Sequence, residues 1–301
     1  MKIAIIGAGA MGSIYGGKLS TVNDVSLIDN NEKVVEAINT NGLKLEEPDG
    51  LNTYYPKAYT SSKEIKDVDL LIIFVKAIYS KAAIEANLNL IGENTHILTL
   101  QNGAGHQDLL KQYVAEDKII IGTTEDAGKV LDFGFISRTG LGKTNIGMVN
   151  ENNNEVLQKV KEAFDNSGFK TTIHENINQL IWNKLFINTT LSATTALLQC
   201  EIGYIGENEF AHKMVEQLLD EAILVAHKLN LKADKKELLE EIKQVTINSK
   251  TGITSICADI KNGRKTEVET ISGAIVKMAE KLNIETPTHK FVVNQIHALE
   301  K

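Results

Sequence analysis

Lys2-Ile3-Ala4-Ile5-Ile6-Gly7-Ala8-Gly9-Ala10-Met11-Gly12 opens the 301-residue chain and carries the signature of its fold. Ile3 to Ile6 are apolar without alternation, which suits a parallel β-strand covered on both faces. Gly7, Gly9 and Gly12 then follow as G-x-G-x-x-G. In that pattern the first glycine makes a tight turn, the second lets the backbone approach a pyrophosphate, and the third lets a helix pack closely on the strand. The phosphates sit on the helix N-terminus, where backbone N–H groups are unpaired and the dipole is positive. Glycine-rich turns are common, so the next strand matters: Val25-Ser26-Leu27-Ile28 ends in Asp29, twenty residues after Gly9. A carboxylate there accepts a hydrogen bond from a ribose 2′-hydroxyl and repels a 2′-phosphate. Gly7, Ala8, Gly9, Ala10, Met11, Gly12 and Asp29 are therefore expected to hold a dinucleotide, NAD in preference to NADP, although Lys33 can reach the same region.

Composition narrows the partners. The chain is 43% hydrophobic and 24% charged, with a net charge of -7, and offers no basic footprint for nucleic acid or an anionic membrane. A small-molecule substrate is the expectation. The apolar start with Ala8-Gly9-Ala10 superficially resembles a signal peptide, but the same residues complete a strand, turn and helix. No window approaches the twenty apolar residues of a membrane span. Cys200 and Cys257 form no paired framework, which suits a reducing cytoplasm. The seven histidines show no metal-ligand spacing, so no metal site is expected.

Strands then alternate with helices, the pattern of an α/β, Rossmann-type doubly wound sheet over residues 1–174. Helices are expected near 10–20, 31–40, 80–90, 106–114 and 152–166. Strands are expected at 25–28, 69–75, 96–100, 118–122 and 170–174, with an irregular or antiparallel pair between Gly42 and Pro56. Glycines at 128, 134, 140, 142 and 147 punctuate what reads as antiparallel strands finishing the sheet. Lys76 ends the most apolar strand, at the C-terminal end of a parallel strand where such sheets bind ligands, and either contacts the cofactor or opens the next helix in solvent. Asn102, on the loop after strand 96–100, can donate and accept at once.

From Glu175 the chain becomes all-α over 175–301. Helices are expected near 176–199, 208–230, 234–249, 250–261, 266–282 and 286–299. Between Lys184 and Glu201 no residue is charged, so that helix is buried, yet Lys184, Asn188 and Ser192 recur at i, i+4 and i+8 on one face. Such a stripe suits a polar cavity, with Lys184 as an acid whose desolvated ammonium gives up its proton readily. The plainer alternative has Lys184 snorkelling and the others bonding backbone. Ser255 and Asp259 share a helical face, and Glu267 follows a glycine-containing turn. On physics alone Asp259 reads rather as a cap or an ion-pair partner of Arg264, and Glu267 as a helix-dipole partner.

Taken together, these blocks resemble the ketopantoate reductase (2-dehydropantoate 2-reductase) family over nearly the whole chain. The matching pieces are the turn at 7–12, the strand ending in Lys76, Gln101-Asn102-Gly103, Trp182-x-Lys184-Leu185-x-x-Asn188, and Ser255-x-x-x-Asp259 leading to Thr266-Glu267. The resemblance implies Lys184 as general acid and Glu267 beside the reacting centre. It implies Asn188, Ser192, Ser255 and Asp259 around the substrate, and Lys76, Asn102 and Ala127 around the NAD or NADP cofactor. Ser192 and Ser272 stand where the family usually has asparagine, and Asp29-Asn30 where members using NADPH tend to carry an arginine. The implied activity is reduction of a 2-oxo acid, foremost 2-dehydropantoate to (R)-pantoate, in a cytoplasmic enzyme that can be a homodimer. The rival readings are an NAD-dependent D-2-hydroxyacid dehydrogenase of the same family, and a non-catalytic NAD-binding regulator.

Overall fold

The computed structural model describes residues 1–150 and 154–300. The chain divides into two compact units, Met1–Gln101 with His106–Ile177, and Asn102–Gly105 with Asn178–Lys301. In chain order the first unit holds β1 (Lys2–Ile6), α1 (Ala10–Leu19), β2 (Asp24–Ile28), α2 (Glu32–Asn41), β3 (Leu43–Glu47), β4 (Gly50–Tyr54), β5 (Lys57–Tyr59) and β6 (Leu70–Ile73). It continues with α3 (Ser80–Glu85), β7 (His96–Thr99), α4 (His106–Leu110), β8 (Ile119–Thr124), β9 (Ala127–Asp132), β10 (Phe135–Gly140), β11 (Lys143–Met148), α5 (Asn154–Asp165) and β12 (Lys170–Ile173). The expected start of α5 at residue 152 lies outside the described residues.

Eight strands form one sheet in the order β12-β11-β8-β7-β6-β1-β2-β5. From β5 to β8 every pairing is parallel, and β11 runs antiparallel to β8. The order reverses between β1 and β6, the switch point beyond whose carboxyl ends doubly wound sheets bind ligands. β6, β7 and β8 are buried along their whole length, as the unbroken apolar runs require.

The glycine-rich segment after β8 departs from expectation. Only β11 finishes the main sheet. β9 and β10 form a hairpin that joins β3 and β4 in a second sheet, ordered β4-β3-β10-β9. The inward residues Leu43, Leu45 and Ile136 belong to the same apolar core as Ile14 and Leu19 of α1. This explains why α1 has no polar face. Seven of its ten residues are buried. A Cβ on Gly16 would meet Leu27 of the large sheet at 2.6 Å, and one on Gly17 would meet Leu43 of the small sheet at 3.2 Å.

The second unit contains α6 (Ile177–Ile187), α7 (Ala193–Leu198), α8 (Ile202–Glu207), α9 (Glu209–Lys228), α10 (Lys235–Asn248), α11 (Ser255–Lys261), α12 (Ser272–Lys281) and α13 (Pro287–Leu299). Several expected helices are shorter or broken. The segment expected as one helix over 176–199 contains a π turn, Asn188–Ser192, between α6 and α7. The segment 266–282 divides into a 3₁₀ turn, Val268–Thr270, and α12, because Ile271 leaves helical geometry. The apolar core of this unit gathers Trp182, Phe186, Leu191, Val215, Leu218, Ile275 and Ile296. No described helix is long and apolar enough to cross a membrane.

Candidate active site

In the first unit, the carboxyl ends of β1, β2 and β6 lie side by side and carry the expected nucleotide residues. Gly7 adopts φ +100°, and a Cβ there would stand 2.9 Å from the backbone of Phe74 and Val75. A Cβ on Gly12 would stand 1.8 Å from the Gly7 carbonyl oxygen, so the third glycine brings helix onto strand. Gly9 differs from both: a Cβ would meet nothing within 4 Å, so the space above it is open.

The helix start fits the same ligand. Asn31, Asn208, Asp234 and Thr254 cap α2, α9, α10 and α11 with side-chain oxygens. α1 has no side-chain cap and no acidic residue in its first turn, so its positive dipole end is of the kind that can receive an anion. Asp29 is anchored by the turn itself. Its Oδ2 accepts from Ala8 N at 2.7 Å and its Oδ1 from Asn31 N at 2.9 Å. Each oxygen keeps a lone pair for a ribose hydroxyl. The Lys33 ammonium lies 5.9 Å from the centre of the Phe133 ring, a cation–π contact on the turn between β9 and β10.

Lys76 is half-buried just past β6, at the head of a 3₁₀ turn. Gln101 braces the backbone that carries it. Its Nε2 donates to the Val75 carbonyl at 2.6 Å and to Ser80 Oγ at 2.8 Å, while its Oε1 accepts from Thr99. The sequence singled out Gln101 only as part of a motif. Its bracing contacts reach 21 and 26 residues back along the chain, beyond any local signal. Ala127 is exposed at the start of β9, paired with Gly140.

In the second unit Lys184 and Asn188 are half-buried, one turn apart, and Ser192 is buried. Asn188 opens the π turn. Hydroxyls account for part of that irregularity: Thr190 Oγ1 donates to the carbonyls of Phe186 at 2.8 Å and Ile187 at 3.0 Å, engaging oxygens the helix ladder also uses. Thr195 Oγ1 donates back to Leu191 at 2.7 Å and lies 2.7 Å from Thr254 Oγ1, the cap of α11. This ties α7 to the helix that begins with Ser255 and carries Asp259. Ser255 is exposed and Asp259 half-buried.

Glu267, half-buried, heads the 3₁₀ turn Val268–Thr270. The loop Asn102–Gly105 docks on that turn. Ala104 N donates to the Thr270 carbonyl at 2.9 Å, and a Cβ on Gly103 would lie 2.0 Å from the same oxygen. The loop bearing Asn102 and the turn headed by Glu267 therefore belong to one packed unit. From the other side Glu300 secures Thr266, accepting from its N–H at 2.8 Å and its hydroxyl at 2.6 Å. Burial raises the Glu300 carboxyl's pKa, but hydrogen bonds from Thr266, His297 and Lys265 outweigh it and bring the group to about 2. Glu300 escaped the sequence reading because Thr266, the residue it secures, lies 34 residues upstream. Among the described residues no group of three or more His, Cys, Asp or Glu side chains is placed to hold a metal ion.

The chain is similar to known proteins over its whole length. Residues 3–151 match the family described as "Ketopantoate reductase PanE/ApbA", and residues 176–300 match "Ketopantoate reductase PanE/ApbA C terminal". The chain is 31% identical to the 2-dehydropantoate 2-reductase of Streptococcus pyogenes serotype M6 and 32% identical to that of Lactococcus lactis; both matches cover 100% of this chain and 98% of the relative. Among solved structures, a D-mandelate dehydrogenase with NADH and anilino(oxo)acetate superposes with a TM-score of 0.91 at 29% identity, over 99% of this chain and 98% of that one. A 2-dehydropantoate 2-reductase from Geobacter metallireducens gives 0.88 at 25%, over 99% of both chains.

Proposed function

Because the chain belongs to the ketopantoate reductase family, we propose that it reduces 2-dehydropantoate to (R)-pantoate with NAD(P)H, a step of pantothenate biosynthesis. It is an NAD(P)-dependent oxidoreductase acting on a CH–OH group. The observation that carries the substrate side of the reading is the helical segment in which Lys184, followed by sixteen uncharged residues, stands one turn before Asn188, where the helix breaks into a π turn. π turns are uncommon and concentrate at functional sites.

When bound, the reduced nicotinamide supplies hydride to C2 of the 2-oxo acid. The Lys184 ammonium stabilises the developing alkoxide and then protonates it, giving the 2-hydroxy acid. Asn188 and Ser255 hold the substrate by hydrogen bonds, with Ser192 and Asp259 completing its surroundings and Glu267 keeping the reacting geometry. Lys76, Asn102 and Ala127 line the cofactor, and Asp29 takes the ribose. The same reading makes the protein a cytoplasmic enzyme able to form a homodimer, which sedimentation velocity tests.

A second reading, an NAD-dependent D-2-hydroxyacid dehydrogenase, is favoured by the anchored Asp29 carboxylate and by Lys33 lying over Phe133. A steady-state assay of NADH and NADPH oxidation against 2-dehydropantoate and a panel of branched and aromatic 2-oxo acids separates the two. The expected outcome is the highest kcat/KM with 2-dehydropantoate. A preference for an aromatic acid with NADH selects the second reading. No turnover with any acid refutes both in favour of a cofactor-binding regulator.

A further inference from the structure

Thr189 uses its hydroxyl differently from its neighbours. Thr190 and Thr195 bond back to carbonyls of their own helix. Thr189 Oγ1 points off it, 3.0 Å from Ser272 Oγ and 3.5 Å from His289 Nδ1. All three residues are fully buried. His289 Nε2 lies 2.9 Å from the Leu218 carbonyl oxygen. A carbonyl only accepts, so Nε2 carries the proton and Nδ1 is the acceptor. Thr189 then donates to Nδ1 and accepts from Ser272. The polar chain runs Ser272 to Thr189 to His289 to Leu218, crossing from α12 through the π turn and α13 to α9. Glu221 fixes the far end, its carboxylate accepting from Thr288 N at 2.8 Å and His289 N at 3.0 Å.

A π turn has poorer intrinsic geometry than the α-helix on either side, so tertiary contacts must hold it. Resting on the reading of Asn188 as a substrate ligand, we propose that Thr189, tethered by Ser272 and His289, is the positioning residue that maintains the π turn and sets the direction of Asn188. Thr189 does not touch substrate in this account. It acts through its neighbour, and Ser272 acts through it.

The test compares Thr189→Val, which keeps the shape and loses the hydroxyl, with Thr189→Ser, which keeps the hydroxyl. In the crystal structure of Thr189→Val, residues 188–192 are expected to relax to regular α-helix. Its KM for 2-dehydropantoate should rise about tenfold while kcat changes less than about threefold and KM for the nicotinamide cofactor stays put, the pattern of a lost uniform binding contact. Thr189→Ser should restore both shape and KM. An intact π turn with unchanged KM overturns the proposal, and so does a Thr189→Ser enzyme that behaves like Thr189→Val. Should Thr189→Val not fold, Ser272→Ala decides: the same split in smaller measure supports the role, and wild-type KM refutes it. Should the wild-type enzyme reduce no 2-oxo acid, the functional reading fails by itself, and the shape of the turn in the variants still decides the positioning role.

Discussion

Gly9 and Gly12 stand three residues apart and should respond oppositely to the same added methyl group. At Gly12 the methyl would sit 1.8 Å from a carbonyl oxygen, and moving α1 off β1 disturbs the core on both sides of the helix. Gly12→Ala is expected to lower stability by about 2 kcal/mol or more, seen as an earlier thermal unfolding midpoint. At Gly9 the methyl meets no protein atom. Gly9→Ala should therefore keep its unfolding midpoint and instead raise KM for the nicotinamide cofactor, since the methyl fills the pyrophosphate's approach. Lys184→Ala should lower kcat by about 10²–10⁴ with cofactor affinity unchanged. The backbone roles of Gly7 and Gly12 were legible because each follows from a spacing of a few residues. Gln101 and Glu300 were not, because their work depends on partners that only the folded chain brings near.

At the scale of the element, hydrophobic period gave helices their place but not their interruptions. Periodicity over 176–199 registers the buried face and is blind to hydroxyls that bond the helix's own carbonyls, so the π turn at 188–192 was invisible. The break at Ile271 was equally hidden, since it follows the docking of a loop that lies about 170 residues upstream. Two buried groups around these breaks set the expected pH dependence of stability. Burial pushes the His289 imidazole down to about 4, so the unfolded chain binds the extra proton first. Its contribution to stability should be present above about pH 6.5 and fall as pH drops toward 4. The Glu300 carboxyl, held near 2, contributes above about pH 4.5 and loses that contribution between there and pH 2. Glu300→Gln should cost about 1–2 kcal/mol at pH 7 and nothing near pH 2. Equal loss at both pH values in urea titrations would refute the assignment.

At the scale of the molecule, the alternation of strand and helix announced the parallel sheet and the change to all-α architecture, and the family resemblance announced the chemistry. The second sheet did not announce itself. β3 and β10 pair in parallel across about ninety residues, and no local pattern marks a contact so distant. That layer holds a buried ionic cluster in which Arg138 donates to Glu47 at 2.8 Å and to Asp126, with Lys18 3.2 Å from Glu47. Arg138→Met should leave two buried carboxylates short of their cation and lower stability by about 3–5 kcal/mol, whereas surface pairs such as Lys213–Glu209 should matter by less than about 1 kcal/mol.

Hydride transfer to C2 of a 2-oxo acid on this chain can be followed with an isotope. The enzyme would be supplied with 2-dehydropantoate and a nicotinamide cofactor carrying deuterium on both C4 positions, and the product analysed by mass spectrometry and NMR. One deuterium at C2 of (R)-pantoate is expected for each cofactor oxidised. Cofactor oxidation without deuterium at C2, or no pantoate at all, would contradict it.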